Sequence, residues 1–216
     1  MNPNLVTLLI LAGWLLGCGT NPNVRVRRME SGRIQVDGPM AGPFKTTEEL
    51  AAAGCEIMTR QGGASGGPQG SEYCALNYYA PAEEAFYLSY LSDIKERQDT
   101  REAKTCSMPQ ALNDPARLNS IITGGGHTHP HNARFSAGDL SGTWHPARAV
   151  AQRTGRILQR ELYVFHRRGG GECTAFSFNY ATRVVSALRE RRWVRIGYVY
   201  DDNGNIRMDD GMGWQP

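Results

Sequence analysis

The residues best suited to chemistry in this chain lie close together: His127-Thr128-His129-Pro130-His131, followed by Ser136-Ala-Gly-Asp139. Imidazole nitrogens and a carboxylate are the donor set of a hydrolytic zinc site, which takes three protein ligands and keeps a fourth, tetrahedral position for water. His127 and His129 are two apart, so on a strand their side chains leave the same face. Ahead of them, Leu118-Asn-Ser-Ile-Ile-Thr123 is a short apolar run that reads as a buried strand. Pro130, with no N–H to give a ladder, ends it. Ser136 then stands where a helix N-cap is expected, and Ser136-x-x-Asp139 fits a capping box. The spacing thus predicts two imidazoles at a strand end and a carboxylate on the first turn of the next helix. A separate carboxylate would take the proton of a water whose pKa the metal lowers to ~7.

Taken together, His127-Thr-His129-Pro130 and Ser136-Ala-Gly-Asp139 resemble the signature of the JAB/MPN superfamily, the JAMM zinc metallopeptidases. That signature joins a distant Glu to His-[Ser/Thr]-His-Pro and Ser-x-x-Asp. The resemblance implies that His127, His129 and Asp139 bind Zn2+, that the distant Glu is the general base, and that Ser136 helps hold the oxyanion. It also implies an α/β fold, a mixed β-sheet flanked by helices, as a single JAB-like domain over residues 46–216. The gap before Ser136 is one residue shorter than in the best-known members. Bacterial JAB-like domains of uncharacterised function, some from toxin systems, look closer to this version.

Glu72 is the candidate base. It opens Glu72-Tyr-Cys-Ala-Leu-Asn-Tyr-Tyr79 behind a Gly-rich turn, and Glu-Tyr followed by small residues resembles the bacterial members. Glu83 and Glu84 follow Pro81 in what reads as a solvated hairpin turn, while Glu56 and Glu102 lie in helix-like or charged stretches. His131 has no place in the family pattern and reads as a loop histidine.

Residues 1–17 carry an apolar run too short for a comfortable membrane span, as in a signal-peptide h-region. Leu15-Leu16-Gly17-Cys18 resembles the bacterial lipobox, which implies that Cys18 is lipidated and becomes the N-terminus. Gly19 is not the aspartate of inner-membrane retention, so the resemblance implies an outer-membrane anchor with the chain facing the periplasm. The leader lacks the usual Lys or Arg, and an uncleaved N-terminal anchor is the other reading. Residues 18–45, rich in Asn, Pro, Gly and Arg, read as a flexible tether with a short strand possible at Gly32–Val36. Cys55, Cys74, Cys106 and Cys173 are an even number suited to an oxidising compartment, and they allow three pairings. Cys74 shares strand parity with Glu72.

The remaining elements must position these residues. Thr46 or Thr47 caps a helix that runs through Met58 with acids in its first turn. Gly62 to Gly70 is a flexible loop running into Glu72, placed to line the site or close over it. Tyr73–Tyr79 with Ala85–Leu91, and Leu162–Phe165 with Cys173–Phe178, read as hairpins. Asp93 to Lys104 is an exposed, charged connection. The helix begun at Ser136 is interrupted at Trp144-His145-Pro146 and restarts through Ala147–Leu158. Thr182–Arg192 reads as a basic helix, and Val194–Tyr200 with Ile206–Met208 as a last hairpin. Net charge is +3, too small to argue for a nucleic-acid partner, and no Walker or dinucleotide motif occurs.

The function expected is zinc-assisted hydrolysis of a peptide or isopeptide amide in the cell envelope, on a peptide or protein substrate. The alternatives are a lipid-anchored binding or accessory protein on the same scaffold, and a toxin-system effector.

Overall fold

Alternating aromatic and β-branched residues make strand, rather than helix, the main regular structure of this chain. The computed structural model describes residues 21–214 apart from 96, 102, 142–147, 152–154 and 170. Cys18, the leader, Trp144-His145-Pro146 and Glu102 therefore lie outside the described residues. Among those described, no helix is long and apolar enough to cross a membrane.

In chain order the elements are β1 (Val26–Arg28), β2 (Ile34–Asp37), β3 (Ala41–Phe44), α1 (Thr47–Thr59), β4 (Cys74–Ala80), β5 (Ala85–Leu88), β6 (Ala111–Asn113) and β7 (Ile121–Thr128). They continue with α2 (Ala137–Ser141), β8 (Arg148–Ala151), β9 (Arg156–Gln159), β10 (Glu161–Arg167), β11 (Cys173–Asn179), β12 (Val184–Arg189), β13 (Arg192–Val199) and β14 (Ile206–Met208). A nine-stranded sheet runs β14-β13-β12-β11-β10-β7-β4-β5-β3. All its pairings are antiparallel except β7 with β10, which makes the sheet mixed. A small sheet β1-β2-β6 and the hairpin β8-β9 complete the strands. The fold is a mixed sheet with little helix, more β than the sequence predicts.

Both faces of the large sheet are covered, and strand parity assigns the side chains. Tyr163 and Phe165 of β10 pack with Leu50, Cys55 and Met58 of α1 on one face. Leu162 and Val164 turn to the other, with Phe176, Phe178, Val185 and Ile196. Each such side chain contributes about 1.5–3 kcal/mol by leaving water. Thr46 is the α1 cap, its Oγ1 accepting from the Glu49 N–H at 3.2 Å, with Glu48 and Glu49 at the positive end of the helix.

β7 lies wedged between β4 and β10, and its glycines make that possible. A Cβ on Gly124, whose φ is +141°, would fall 1.9 Å from the Glu161 carbonyl oxygen, and one on Gly126 would fall 2.6 Å from the Phe165 ring. The triple glycine thus lets two strands close on the one that carries the histidines.

Several expectations need correction. The helix over Ala147–Leu158 is instead the hairpin β8-β9, turning near Gly155 at φ +67°. Its pattern is period two, with Ala151 and Leu158 buried while Val150 and Ile157 are half exposed. The basic helix over Thr182–Arg192 is instead β12 and the start of β13. Its turn is made by Glu190 and Arg191, both at positive φ, without the Gly or Asn that normally marks such a turn. Residues 21–44, read as tether with a short strand possible at Gly32–Val36, hold three strands, of which β2 matches that strand; Ile34 and Val36 are fully buried and β3 forms the sheet edge beyond β5. The Gly62–Gly70 loop is a set of tight turns with Ala64 buried, and it does not line the cleft described below.

The four cysteines pair as Cys55–Cys173 and Cys74–Cys106. The first ties α1 to β11; the second ties β4 to the segment that follows the charged connection. Loops of 118 and 32 residues are closed, and bridges of this kind stabilise small domains by about 2–5 kcal/mol each.

Candidate metal centre

His127 is the penultimate residue of β7, paired with Cys74 on one side and Val164 on the other. His129 stays on the ladder for one more step, its N–H donating to the Phe165 carbonyl at 2.9 Å. Both imidazoles therefore leave the face opposite α1, as parity requires, and both are buried. Thr128 between them points the other way and clamps the neighbouring chain. Its N–H donates to the Tyr73 carbonyl and its Oγ1 accepts from the Tyr73 N–H, each at 3.0 Å. That pair of bonds fixes the backbone beside Glu72, whose parity with Cys74 brings its carboxylate to the same face as the histidines.

Ser136 and Asp139 form the reciprocal cap that their spacing predicts. The Ser136 N–H donates to Asp139 Oδ2 at 2.6 Å, and the Asp139 N–H donates to Ser136 Oγ at 3.2 Å. The Tyr180 hydroxyl, donating to the Asp139 carbonyl at 2.8 Å, anchors this short turn to the sheet. His127 Nε2 then lies 3.1 Å from Asp139 Oδ1, His129 Nε2 lies 3.6 Å from Asp139 Oδ2, and the two Nε2 atoms are 2.9 Å apart. Glu72 Oε1 stands 3.8 Å from His129 Nε2.

These separations suit a shared cation. A tetrahedral zinc with bonds of ~2.0–2.1 Å spaces its ligands ~3.3 Å apart, and the three observed separations fall on both sides of that value. One nitrogen or oxygen from each of His127, His129 and Asp139 lies within 4.8 Å of the others. His131 is outside this trio, so the three donors leave a tetrahedral ion one position for water.

Burial sets the protonation. It pushes Glu72 up to about 8, with Asp139 adding to the rise and His127 opposing it. Burial, then the charge of His127, brings His129 down to about 3, so its imidazole is neutral. Burial also opposes charge on His127 and Asp139, but their mutual attraction overrides it. His127 is held above its ordinary value and Asp139 well below the carboxylate range.

A pH dependence follows for the metal-free chain. Between 4.5 and about 8 the folded chain keeps a proton on Glu72 that the unfolded chain has released. The folded state binds more protons there, so stability falls as pH rises through that window. Glu72→Gln removes this contribution. Its unfolding midpoint in urea with a chelator should match wild type near the acid end of the window and exceed it at the alkaline end; equal midpoints throughout would contradict the assignment.

The centre sits in a cleft of about 1170 Å³ that Glu72, His127, His129, His131, Ser136 and Asp139 all help to line. All five residues expected to carry the chemistry are therefore brought together. The other glutamates are elsewhere: Glu83 pairs with Arg117 at 2.7 Å and Glu56 with Arg167 at 2.5 Å. Two contributors were not singled out in the sequence, Tyr180, described above, and His166, whose Nδ1 approaches the His129 carbonyl at 2.8 Å; Thr128 stood in the motif, but its clamp on Tyr73 did not show there. Each acts across a strand pairing or loop contact; the one local signal was the parity of His166 with Val164.

Compared with family models, curated proteins and solved structures, the chain matches none.

Proposed function

We propose that this chain is a zinc-dependent hydrolase of peptide-type amides, a metallopeptidase or isopeptidase of JAMM type, working in the cell envelope. The observation that carries the reading is the convergence of His127, His129 and Asp139 with a separate buried carboxylate, Glu72, on the floor of one open cleft. Three ligands and a base are the parts an amide hydrolase needs. A bound Zn2+ would polarise the scissile carbonyl and lower the pKa of a water beside it.

The chain's own groups do the rest. Glu72 takes a proton from the attacking water as the C–O bond forms, then gives it to the amine nitrogen as the C–N bond breaks. A positive ion held by His127, His129 and Asp139 would favour the ionised form of the Glu72 carboxyl, the form that can take a proton. Ser136 Oγ accepts the Asp139 N–H, which leaves its own hydroxyl proton for the oxyanion, an interaction worth most as charge develops. Two disulfides fit an oxidising compartment, and with a lipid anchor at Cys18 they favour a periplasmic or cell-wall peptide or protein as substrate.

The test is a library of peptides and isopeptides offered to the zinc-loaded chain, with new termini detected by mass spectrometry. Cleavage should stop with a chelator and return with zinc. Tight zinc binding without cleavage of any member would favour a binding or accessory protein on this scaffold.

A further inference from the structure

The cleft is strongly basic. Arg33, Arg97, Lys104, Arg134 and Arg160 line it, against two carboxylates among the described residues, Glu72 and Asp139, which both belong to the centre itself. Such a concentration is out of proportion to a chain of net charge +3. Arg97 and Arg134 are exposed, and their side chains make no hydrogen bond or ion pair among the described residues. Arg33 donates to a neutral acceptor, the Gln110 carbonyl, at 2.6 Å. Asp99, whose carboxylate feels the charge of Lys104, is engaged by Lys95 at 2.5 Å. Among the described residues the positive charge of the cleft wall is thus uncompensated at Arg97 and Arg134, and a cleft of one sign with low-dielectric walls concentrates ligands of the other.

We propose that the cleft takes acidic peptides, with Arg97 and Arg134 binding carboxylates of the substrate while its amide lies over the metal centre. The choice of a peptide rests on the amide-hydrolase reading; the choice of an acidic ligand rests on the charges alone. Nucleic acid, the other common polyanion, calls for a basic stripe along an accessible face. Here the charges surround a cleft whose floor is a buried hydrolytic constellation.

The test uses a fluorescein-labelled peptide rich in Asp and Glu, and its counterpart with Asn and Gln at those positions. Binding is measured by fluorescence anisotropy to the zinc-loaded Glu72→Gln chain, which holds the peptide uncleaved. The acidic peptide should bind at least about tenfold tighter, and the preference should shrink with added salt. Arg97→Gln and Arg134→Gln should each weaken it about threefold, and the double variant about tenfold. Arg207→Gln, an exposed change on β14, should not. Equal binding of the two peptides would overturn the proposal, as would a single-stranded oligonucleotide that outcompetes the acidic peptide. Wild type cleaving both peptides equally fast would overturn it while leaving the hydrolase intact. Preferential binding of the acidic peptide with no cleavage by wild type would support it and count against the hydrolase.

Discussion

Glu72→Gln is expected to keep zinc bound and to slow amide cleavage by about 10²–10⁴-fold, the usual contribution of a positioned acid–base group. Glutamine has the shape of glutamic acid but cannot take and return a proton. The backbone beside it stays fixed by the Thr128 clamp on Tyr73. The substitution should not harm folding of the metal-free chain either, because burial already raises the Glu72 carboxyl to about 8 there. The loss should therefore fall on kcat, with KM little changed, since the group acts on the reacting proton rather than on binding. Single-turnover cleavage with metal analysis of the same preparation checks both halves. Wild-type rates in Glu72→Gln would place the base elsewhere.

His129→Ala should have the opposite signature: zinc lost, activity at background, fold retained. Removing only an outer partner of a metal ligand costs 10–100-fold in affinity, so loss of a ligand itself should exceed ~100-fold. The fold should survive because His129 joins the sheet through its backbone N–H to the Phe165 carbonyl, which alanine keeps. Competition with a chromophoric chelator gives the affinity, and circular dichroism confirms the sheet. Unchanged zinc affinity in His129→Ala would remove it from the ligand set.

The site was legible because its logic is local. His127 and His129 share a face by strand parity alone, Ser136 and Asp139 meet through a three-residue cap, and Glu72 stands two residues ahead of a strand. The histidine pair and the cap need no knowledge of the strand order, whereas Glu72 reaches them through the pairing of β4 with β7 and was singled out by the family resemblance. What was not legible depends on that order, or on backbone conformations the residue types do not announce. Glu190 and Arg191 turn the chain between β12 and β13 at positive φ, so a hairpin read as a continuous basic helix. Val184 and Val185, β-branched residues suited to a strand, lie within that stretch and form the start of β12. A short strand at Ile34 and Val36 was legible, but not its partners: β2 pairs with β1 and with β6 from far along the chain. Tyr180 and His166 reach the site across loop and strand contacts that place β10 beside β7, a pairing with no local signal. The basic cleft wall likewise collects arginines from segments distant in sequence.

The central claim is that His127, His129 and Asp139 hold a metal with a place left for water. Zinc K-edge X-ray absorption on the purified, zinc-equilibrated chain tests it most directly. A first shell of nitrogen and oxygen alone at ~2.0–2.1 Å, with the scattering signature of two imidazoles, is the predicted result. A chain that retains no zinc, or a shell containing sulfur or a third imidazole, would contradict it.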